Sequence, residues 1–252
     1  MKSFKKKLKL KLKRLTGQEL RLRPDNPPGL VTIGDWSFLP ELLTAKSIVY
    51  SFGIGDDIRF DRHIATQYGC EVHAFDPTVN LELVAKSIND SLNLTLHRSA
   101  VADTDKTLTL YQRLHKNGKP SGMYTIDPLS GGGKETLTVP ALTVASMMQS
   151  FQHQKLALAK FDIEGAEYTA IHRMLDDNIH PQQLLVEFHH RFAGYHLSDT
   201  QKLIDRLLQA GYQLTSVSDN GREVGFTKHP VSNPPPAQPP AHQTINQGSD
   251  NA

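Results

Sequence analysis

Ile48-Val49-Tyr50-Ser51-Phe52-Gly53-Ile54-Gly55-Asp56-Asp57 decides how the rest of this chain is read. An apolar, β-branched run meets two glycines one residue apart, and two aspartates follow at once. Beyond them Ile58, Phe60, Ile64, Ala65 and Tyr68 recur at helical spacing. The pattern predicts a strand, a tight glycine turn and a helix, the first βα unit of a doubly wound sheet. A second apolar strand, residues 71–75, ends in Asp76-Pro77. An acid there, about twenty residues past the turn, is placed to accept both hydroxyls of a ribose.

What the turn lacks narrows the nucleoside. A dinucleotide turn reads G-x-G-x-x-G, and the place of its third glycine is held by Ile58. Asp56 and Asp57 stand at the helix N-terminus, where a pyrophosphate would sit. Two carboxylates there repel a phosphate. They suit a ligand with a ribose and a cationic amine, the features of S-adenosylmethionine. Either aspartate also fits as a helix cap, and the two roles are compatible.

Composition bounds the setting. The 252 residues suffice for one α/β domain with tails. A single cysteine, Cys70, excludes an internal disulfide and a C-x-x-C metal site, and a reducing, cytoplasmic setting is expected. No apolar run approaches the ~18–20 residues of a membrane span. The N-terminal leucines are interleaved with lysines, unlike the apolar middle of a signal peptide. The net charge of +2 conceals an asymmetry. Residues 1–23 hold ten Lys and Arg against one acid, Glu19, while the remainder has eighteen basic and twenty-five acidic side chains.

Within that basic arm Phe4, Leu8, Leu12 and Leu15 form one stripe on a helix, though Leu8, Leu10 and Leu12 alternate equally well as a strand. The arm reads as a peripheral helix on anionic lipid, as a nucleic-acid arm, the less favoured partner, or as a solvated tail. So short and self-repelling a segment is not expected to form a helix alone in water. Residues 24–29, P-D-N-P-P-G, mark a linker. Boundaries are expected at 1–29 for arm and linker, 30–229 for the folded body, and 230–252 for a proline-rich tail without regular structure.

Inside the body, Trp36-Ser37-Phe38 docks beside the first strand, and residues 81–88 read as a helix. A third strand at residues 92–97 runs into Ser99-Ala100-Val101, near a nucleoside's base. Residues 107–111 and 135–139 alternate as strands, and between them residues 116–134 form a glycine-rich lid or loop. Leu156-Ala157-Leu158-Ala159-Lys160-Phe161 is a further parallel strand, ending in Asp162-Ile163-Glu164-Gly165-Ala166-Glu167. Residues 184–188 form the next and end in His189-His190. Asn220-Gly221 closes a terminal hairpin.

Three blocks together, Ser51 to Asp57, His73-Ala74-Phe75-Asp76-Pro77 and Lys160 to Glu167, resemble the FkbM-type class I S-adenosylmethionine-dependent methyltransferases. The likeness runs over residues 36–226, and D-I-E-G-A-E is its most distinctive part. It implies an α/β, Rossmann-like seven-stranded sheet of order 3-2-1-4-5-7-6 with helices on both faces. It also implies methyl transfer from S-adenosylmethionine to a hydroxyl of a sugar, glycan or small metabolite. Many class I relatives carry an acid where this chain has Ser51, so Asp56 or Asp57 is left to offer that carboxylate. Ser51, Gly53, Gly55, Asp56, Asp57, Asp76, Pro77, Ser99, Ala100, Val101 and Asp162 are the expected cofactor contacts.

Asp162, Glu164, His189 and His190 are the candidate catalytic residues. Asp162 and Glu164 lie two apart at a strand's C-terminal end, where ligands bind in this architecture, though acids are also favoured in a helix's first turn. A histidine there can take an acceptor's proton. Alternatively Asp162, Glu164 and His189 share a divalent cation, or the histidines merely pack. A second reading of the whole is a binding module of this fold, without catalysis, brought to membrane or nucleic acid by its arm.

Overall fold

The computed structural model describes residues 2–78, 84, 92–115 and 117–228. Helix α1 (Lys2–Leu15) leads into a hairpin of β1 (Val31–Ile33) and β2 (Trp36–Phe38). Strand β3 (Ile48–Phe52), helix α2 (Arg59–Tyr68), β4 (Glu71–Phe75) and β5 (Leu94–His97) follow. Then come β6 (Ala100–Val101), β7 (Lys106–Leu114), β8 (Pro120–Thr125), β9 (Thr136–Leu142) and α3 (Val144–Ser150). The chain continues through β10 (Leu158–Phe161), α4 (Glu167–Asp176), β11 (Gln183–Glu187), α5 (Leu197–Gln209), β12 (Gln213–Val217) and β13 (Glu223–Thr227).

Alternation along β3 sets the layers. Tyr50 and Phe52 turn to one face and join α3, α4 and α5 through Met147, Ile171, Met174, Leu203 and Leu207. Val49 turns to the other face and meets α2 and β2 through Ile64, Phe60 and Phe38. Phe52 packs on Phe161 and Phe75 with ring centroids 4.7 and 5.1 Å apart. Each such ring, fully buried, contributes about 1.5–3 kcal/mol of transfer free energy. Gly69, left-handed at φ +68°, stops α2 as a C-terminal glycine does.

The large sheet runs β5-β4-β3-β10-β11-β13-β12. Its first five strands are mutually parallel, and β13 runs antiparallel to both neighbours. Numbered over the whole chain this differs from the expected 3-2-1-4-5-7-6, because two strands precede the sheet and four form another. Counted among its own seven members, the order is third, second, first, fourth, fifth, seventh, sixth. The expected helix at 81–88 and tail at 230–252 lie outside the described residues, save helical, buried Val84.

The second sheet, β6-β9-β7-β8, corrects the reading of residues 116–134 as a loop. Residues 120–125 are a strand, β8, paired antiparallel to β7. Pro120 is tolerated because it opens an edge strand, where its missing N–H breaks no ladder. The run Gly131-Gly132-Gly133 lies over β7, with Gly132 and Gly133 donating to the Gln112 carbonyl at 3.1 and 2.9 Å. A Cβ on Gly133 would stand 2.6–2.9 Å from the Gln112 side chain, so close approach explains that glycine.

Helix α1 forms despite its charge because the body supports it. Leu10 is buried and rests against Gly221 in the β12–β13 turn. The stripe faces elsewhere: Leu8, Leu12 and Leu15 are exposed, since Leu10 lies roughly 200° round the helix from Leu8 and Leu12. Glu19 then fastens the arm. Its buried carboxylate accepts from Arg191 at 2.6 and 2.7 Å and pairs with His190 at 3.1 Å. Burial alone would raise its pKa, but hydrogen bonds from His190 and Arg191 outweigh that and hold it at about 2. A carboxylate depressed from 4.5 contributes stability above its unfolded pKa and loses it as pH falls from 4.5 toward 2. The contribution at neutral pH is about 3 kcal/mol. Glu19→Gln should therefore lower urea-unfolding stability by about that amount at pH 7 and by little at pH 2. Equal losses at both pH values would show that the charge is not what holds the arm.

Candidate active site

The C-terminal ends of β3, β4 and β10, closed over by β6, β7 and β8, enclose a cavity of about 690 Å³. Gly53 and Gly55 form its ledge at φ +76° and +52°. Gly53 is suspended between neighbours: its N–H donates to the Phe75 carbonyl at 2.9 Å, and its own carbonyl accepts Lys160 Nζ at 3.1 Å. No atom lies within 4 Å of where a Cβ on Gly55 would stand, so backbone alone faces the open space.

Asp76 braces that ledge. Its Oδ2 accepts the Gly55 N–H at 2.9 Å, and its Oδ1 accepts the N–H and hydroxyl of Thr78 at 2.7 and 2.6 Å. Asp57 accepts the Arg59 N–H at 3.0 Å and a bidentate pair from its guanidinium. That hydrogen bonding lowers its pKa. Asp57 thus holds the first N–H of α2 from just before its N-cap, Ile58, and lines the cavity as well. Asp56, Pro77, Ser99, Ala100 and Val101 line it too, beside Phe52, Phe75, Leu108 and Leu110.

Ser51 does not reach the cavity. Phe52 points there, so the residue before it must point to the opposite face. The Ser51 hydroxyl is fully buried against Asp61 of α2. Burial raises the Asp61 pKa, with the Lys160 ammonium opposing.

At the end of β10, Asp162 and Glu164 line the cavity. Glu164 has a left-handed φ of +54°; its carbonyl accepts the Thr125 hydroxyl at 2.7 Å, and its Oε2 accepts Arg113 Nη1 at 2.5 Å. Burial raises the Glu164 pKa, with His189 and Arg113 opposing.

His189 stands behind these carboxylates, outside the cavity wall. Its Nε2 lies 4.0 Å from Asp162, 3.9 Å from Glu164 and 3.8 Å from Glu187. Its Nδ1 and N–H both meet Glu167 Oε1, at 3.1 and 3.0 Å. Burial would lower its pKa, but Glu167 and the other acids push it up to about 9. These acids favour the cationic form of His189, which then balances their charge. The ligand atoms of Asp162, Glu164 and His189 all lie within 4.8 Å of one another, so these three could hold a divalent ion.

His190 is not brought to the site. Its Nδ1 bonds Thr200 Oγ1 at 3.0 Å and its Nε2 bonds Glu19 at 3.1 Å, because adjacent residues leaving a strand face opposite ways. Trp36 lines a second, smaller cavity of about 250 Å³ on the other side of the glycine ledge, with Lys160 Nζ 4.8 Å over its ring. Asp57 and Asp162 border both cavities.

Four residues were not read from the sequence as parts of the site. Glu167, read as a first-turn acid, is fully buried and also accepts the Gly165 N–H at 2.9 Å. Glu187, pushed up to about 8 by burial and then by Asp162, sits two residues before His189. Arg113 comes from the second sheet and lies 3.7 Å over the Phe192 ring. Lys160 sits within a strand that reads as apolar. Only Glu187 carried a usable signal, an acid at a strand end.

Among the described lining residues of the larger cavity are five carboxylates, Asp56, Asp57, Asp76, Asp162 and Glu164, and neither lysine nor arginine. The family model "Methyltransferase FkbM domain" matches residues 47–214. Probable methyltransferase-like protein 24 of Homo sapiens is 26% identical over 188 residues, covering 73% of this chain and 44% of the relative. Its Rattus norvegicus counterpart gives the same identity and coverage. The chain thus spans 44% of the length of these curated relatives. The crystal structure of methyltransferase FkbM from Methylobacillus flagellatus KT is similar at TM-score 0.46 and 12% identity, covering 73% of this chain and 44% of that one.

Proposed function

The chain belongs to the FkbM methyltransferase family, and from that membership we propose that it transfers a methyl group from S-adenosylmethionine to a hydroxyl of a sugar, glycan or small metabolite. The observation that carries this reading is the carboxylate-rich lining of the larger cavity, which has no lysine or arginine among its described residues. Asp56, Asp76 and Asp162 face it, as do Asp57 and Glu164, which are paired with Arg59 and Arg113 behind it. Such a wall disfavours phosphate and favours a cation. Bound S-adenosylmethionine supplies a methyl group on an electrophilic sulfonium, so the protein's task is chiefly positioning.

Each residue's part follows from its place. Asp76 offers its carboxylate to ribose hydroxyls while bracing Gly55. The Gly53–Gly55 ledge admits a ligand against bare backbone. Phe52, Phe75 and Val101 give an apolar surface for a base, and Asp56, Asp57 or Asp162 receives an ammonium. Glu164, kept basic by burial and oriented by Arg113, takes the proton of the acceptor hydroxyl. His189 positions Glu164 and Asp162 through its charge.

The test is calorimetry of the full chain with S-adenosylhomocysteine, then incubation of the chain and methyl-labelled cofactor with candidate hydroxyl acceptors. Binding with label on an acceptor oxygen supports the proposal. Binding without transfer to any acceptor would favour a non-catalytic module, and tight NAD binding would overturn the cofactor assignment.

We also propose that α1 rests on anionic membrane. No helix among the described residues is long and apolar enough to cross one. Docking through Leu10 leaves Leu8, Leu12 and Leu15 at 58, 61 and 70% exposure. Each basic residue near such a surface adds about 1 kcal/mol. Anionic vesicles should sediment the protein and neutral ones should not. Replacing those three leucines with serine should weaken binding at least tenfold, about 1.4 kcal/mol. Retention unchanged by that triple substitution, or a shift of nucleic acid with none of vesicles, would refute the placement.

A further inference from the structure

A second constellation lies apart from both cavities. Glu71 and His73 sit two residues apart in β4 and so share one face of the sheet. His153 lies just past α3, where its N–H donates to the Met148 carbonyl at 2.8 Å and Gln152 before it is left-handed at φ +60°. That helix ending fixes where His153 stands. Its Nε2 comes within 3.3 Å of Glu71 Oε1, and His73 Nε2 comes within 2.9 Å of the same oxygen. The two rings cross at 75° with centroids 4.9 Å apart.

We propose that Glu71, His73 and His153 form a binding site for one zinc-type divalent ion that ties β4 to the turn after α3. The three ligand atoms lie within 4.8 Å of one another. Around a tetrahedral zinc, with bonds of about 2.0–2.1 Å, neighbouring ligand atoms stand roughly 3.3 Å apart. The observed 3.3 Å matches that spacing, and the 2.9 Å contact would open by roughly 0.4 Å. Two imidazoles and one carboxylate suit zinc, cobalt or nickel, whereas magnesium and calcium prefer all-oxygen sets.

The surroundings support ligation beyond the three donors. Ligating histidines hold their other ring nitrogen in a hydrogen bond that fixes which nitrogen faces the metal. Both do so here: His73 Nδ1 lies 2.8 Å from His97 Nε2, and His153 Nδ1 lies 2.8 Å from the Tyr50 hydroxyl. Phe151 closes the apolar side, its centroid 4.7 Å from those of His73 and His97. Glu71 is half-buried, its side chain 44% exposed, which leaves an approach from solvent and a fourth position for water. The proton balance is simple. Ligation through Nε2 leaves each ring's proton on Nδ1, which donates it in a hydrogen bond to a lone pair of His97 Nε2 or of the Tyr50 hydroxyl, so no proton leaves to either partner.

None of Glu71, His73, His97 or His153 lines either cavity, so the site acts on the fold and not on the transferred group. The experiment uses the full, untagged chain, stripped with chelator and titrated with zinc chloride while melting temperature and bound metal are followed. At least one zinc per chain and a raised melting temperature are expected. Glu71→Gln and His153→Ala should each weaken binding at least tenfold, and Tyr50→Phe should weaken it about tenfold. Asp162→Asn removes a ligand from the other candidate set, at the larger cavity, and should still hold one zinc per chain, which separates the two sites. Should His153→Ala fail to fold, Glu71→Gln at its half-buried position decides alone. No zinc retained by the wild type, zinc retained equally by the folded Glu71 and His153 variants, or no zinc at all bound by Asp162→Asn would overturn the proposal.

Discussion

Gly53→Ala should unfold the domain or disable it, with a stability loss of at least about 4 kcal/mol, the range of exceptional single substitutions. A left-handed alanine at φ +76° carries roughly 1–2 kcal/mol by itself. The larger part is steric. A Cβ there would stand 1.7 Å from the Asp162 carbonyl oxygen and 2.6 Å from its carbon. Both are backbone atoms at the end of β10 and cannot rotate away, so β3 and β10 would have to separate where they pair at Phe52 and Phe161. Gly55→Ala is the control. It too is left-handed, at φ +52°, but nothing lies within 4 Å of its Cβ, so a loss of only about 1–2 kcal/mol is expected. Urea titrations of the two variants check this. A Gly53→Ala protein as stable as Gly55→Ala would mean that the strand ends are far more pliable than their hydrogen bonds imply.

Asp76→Ala should weaken S-adenosylhomocysteine binding by about 10²–10⁴-fold while the domain stays folded. Hydrogen bonds to a charged group contribute about 1.5–3 kcal/mol each, so loss of the two proposed ribose contacts would remove roughly 3–6 kcal/mol. The brace on the Gly55 N–H goes with them. Folding should survive because Asp76 belongs to neither apolar cluster. Asp76→Asn should fall between, since an amide keeps one acceptor oxygen and lacks the charge. Calorimetry of the three proteins, with melting curves as a check on folding, decides the matter. Binding within threefold of the wild type in Asp76→Ala would remove this residue from the cofactor site.

Much of this was legible from the chain because the signals were local. Glycine spacing and helical periodicity placed β3, its turn and α2, and an acid ending β4 placed Asp76 at the cavity. Failures came where a side chain's direction depends on a partner far along the chain. Ser51 and Phe52 are adjacent, and only the sheet's packing says which of them turns to the cavity. His189 and His190 divide the same way, one toward Glu167 and one toward Glu19, 171 positions upstream of it. Arg113 meets Glu164 across 51 positions, through a second sheet whose edge strand is masked by proline and glycine. Glu167 looked like surface decoration because an acid in a helix's first turn is ordinarily solvated, and here it is the innermost acid of the site.

The hydrogen bonds of the glycine ledge bear on how a ligand is received. With the Gly53 and Gly55 N–H groups already donated to Phe75 and Asp76, this backbone takes its shape as the domain folds. The conformational entropy of fixing it, about 1–2 kcal/mol per residue, is therefore settled before any ligand arrives. Affinity at this end of the cavity then need not be diminished by loop ordering. The amides of Gly53 and Gly55 should accordingly be slow to exchange with deuterium in the free protein, and no slower by any large factor in the bound one.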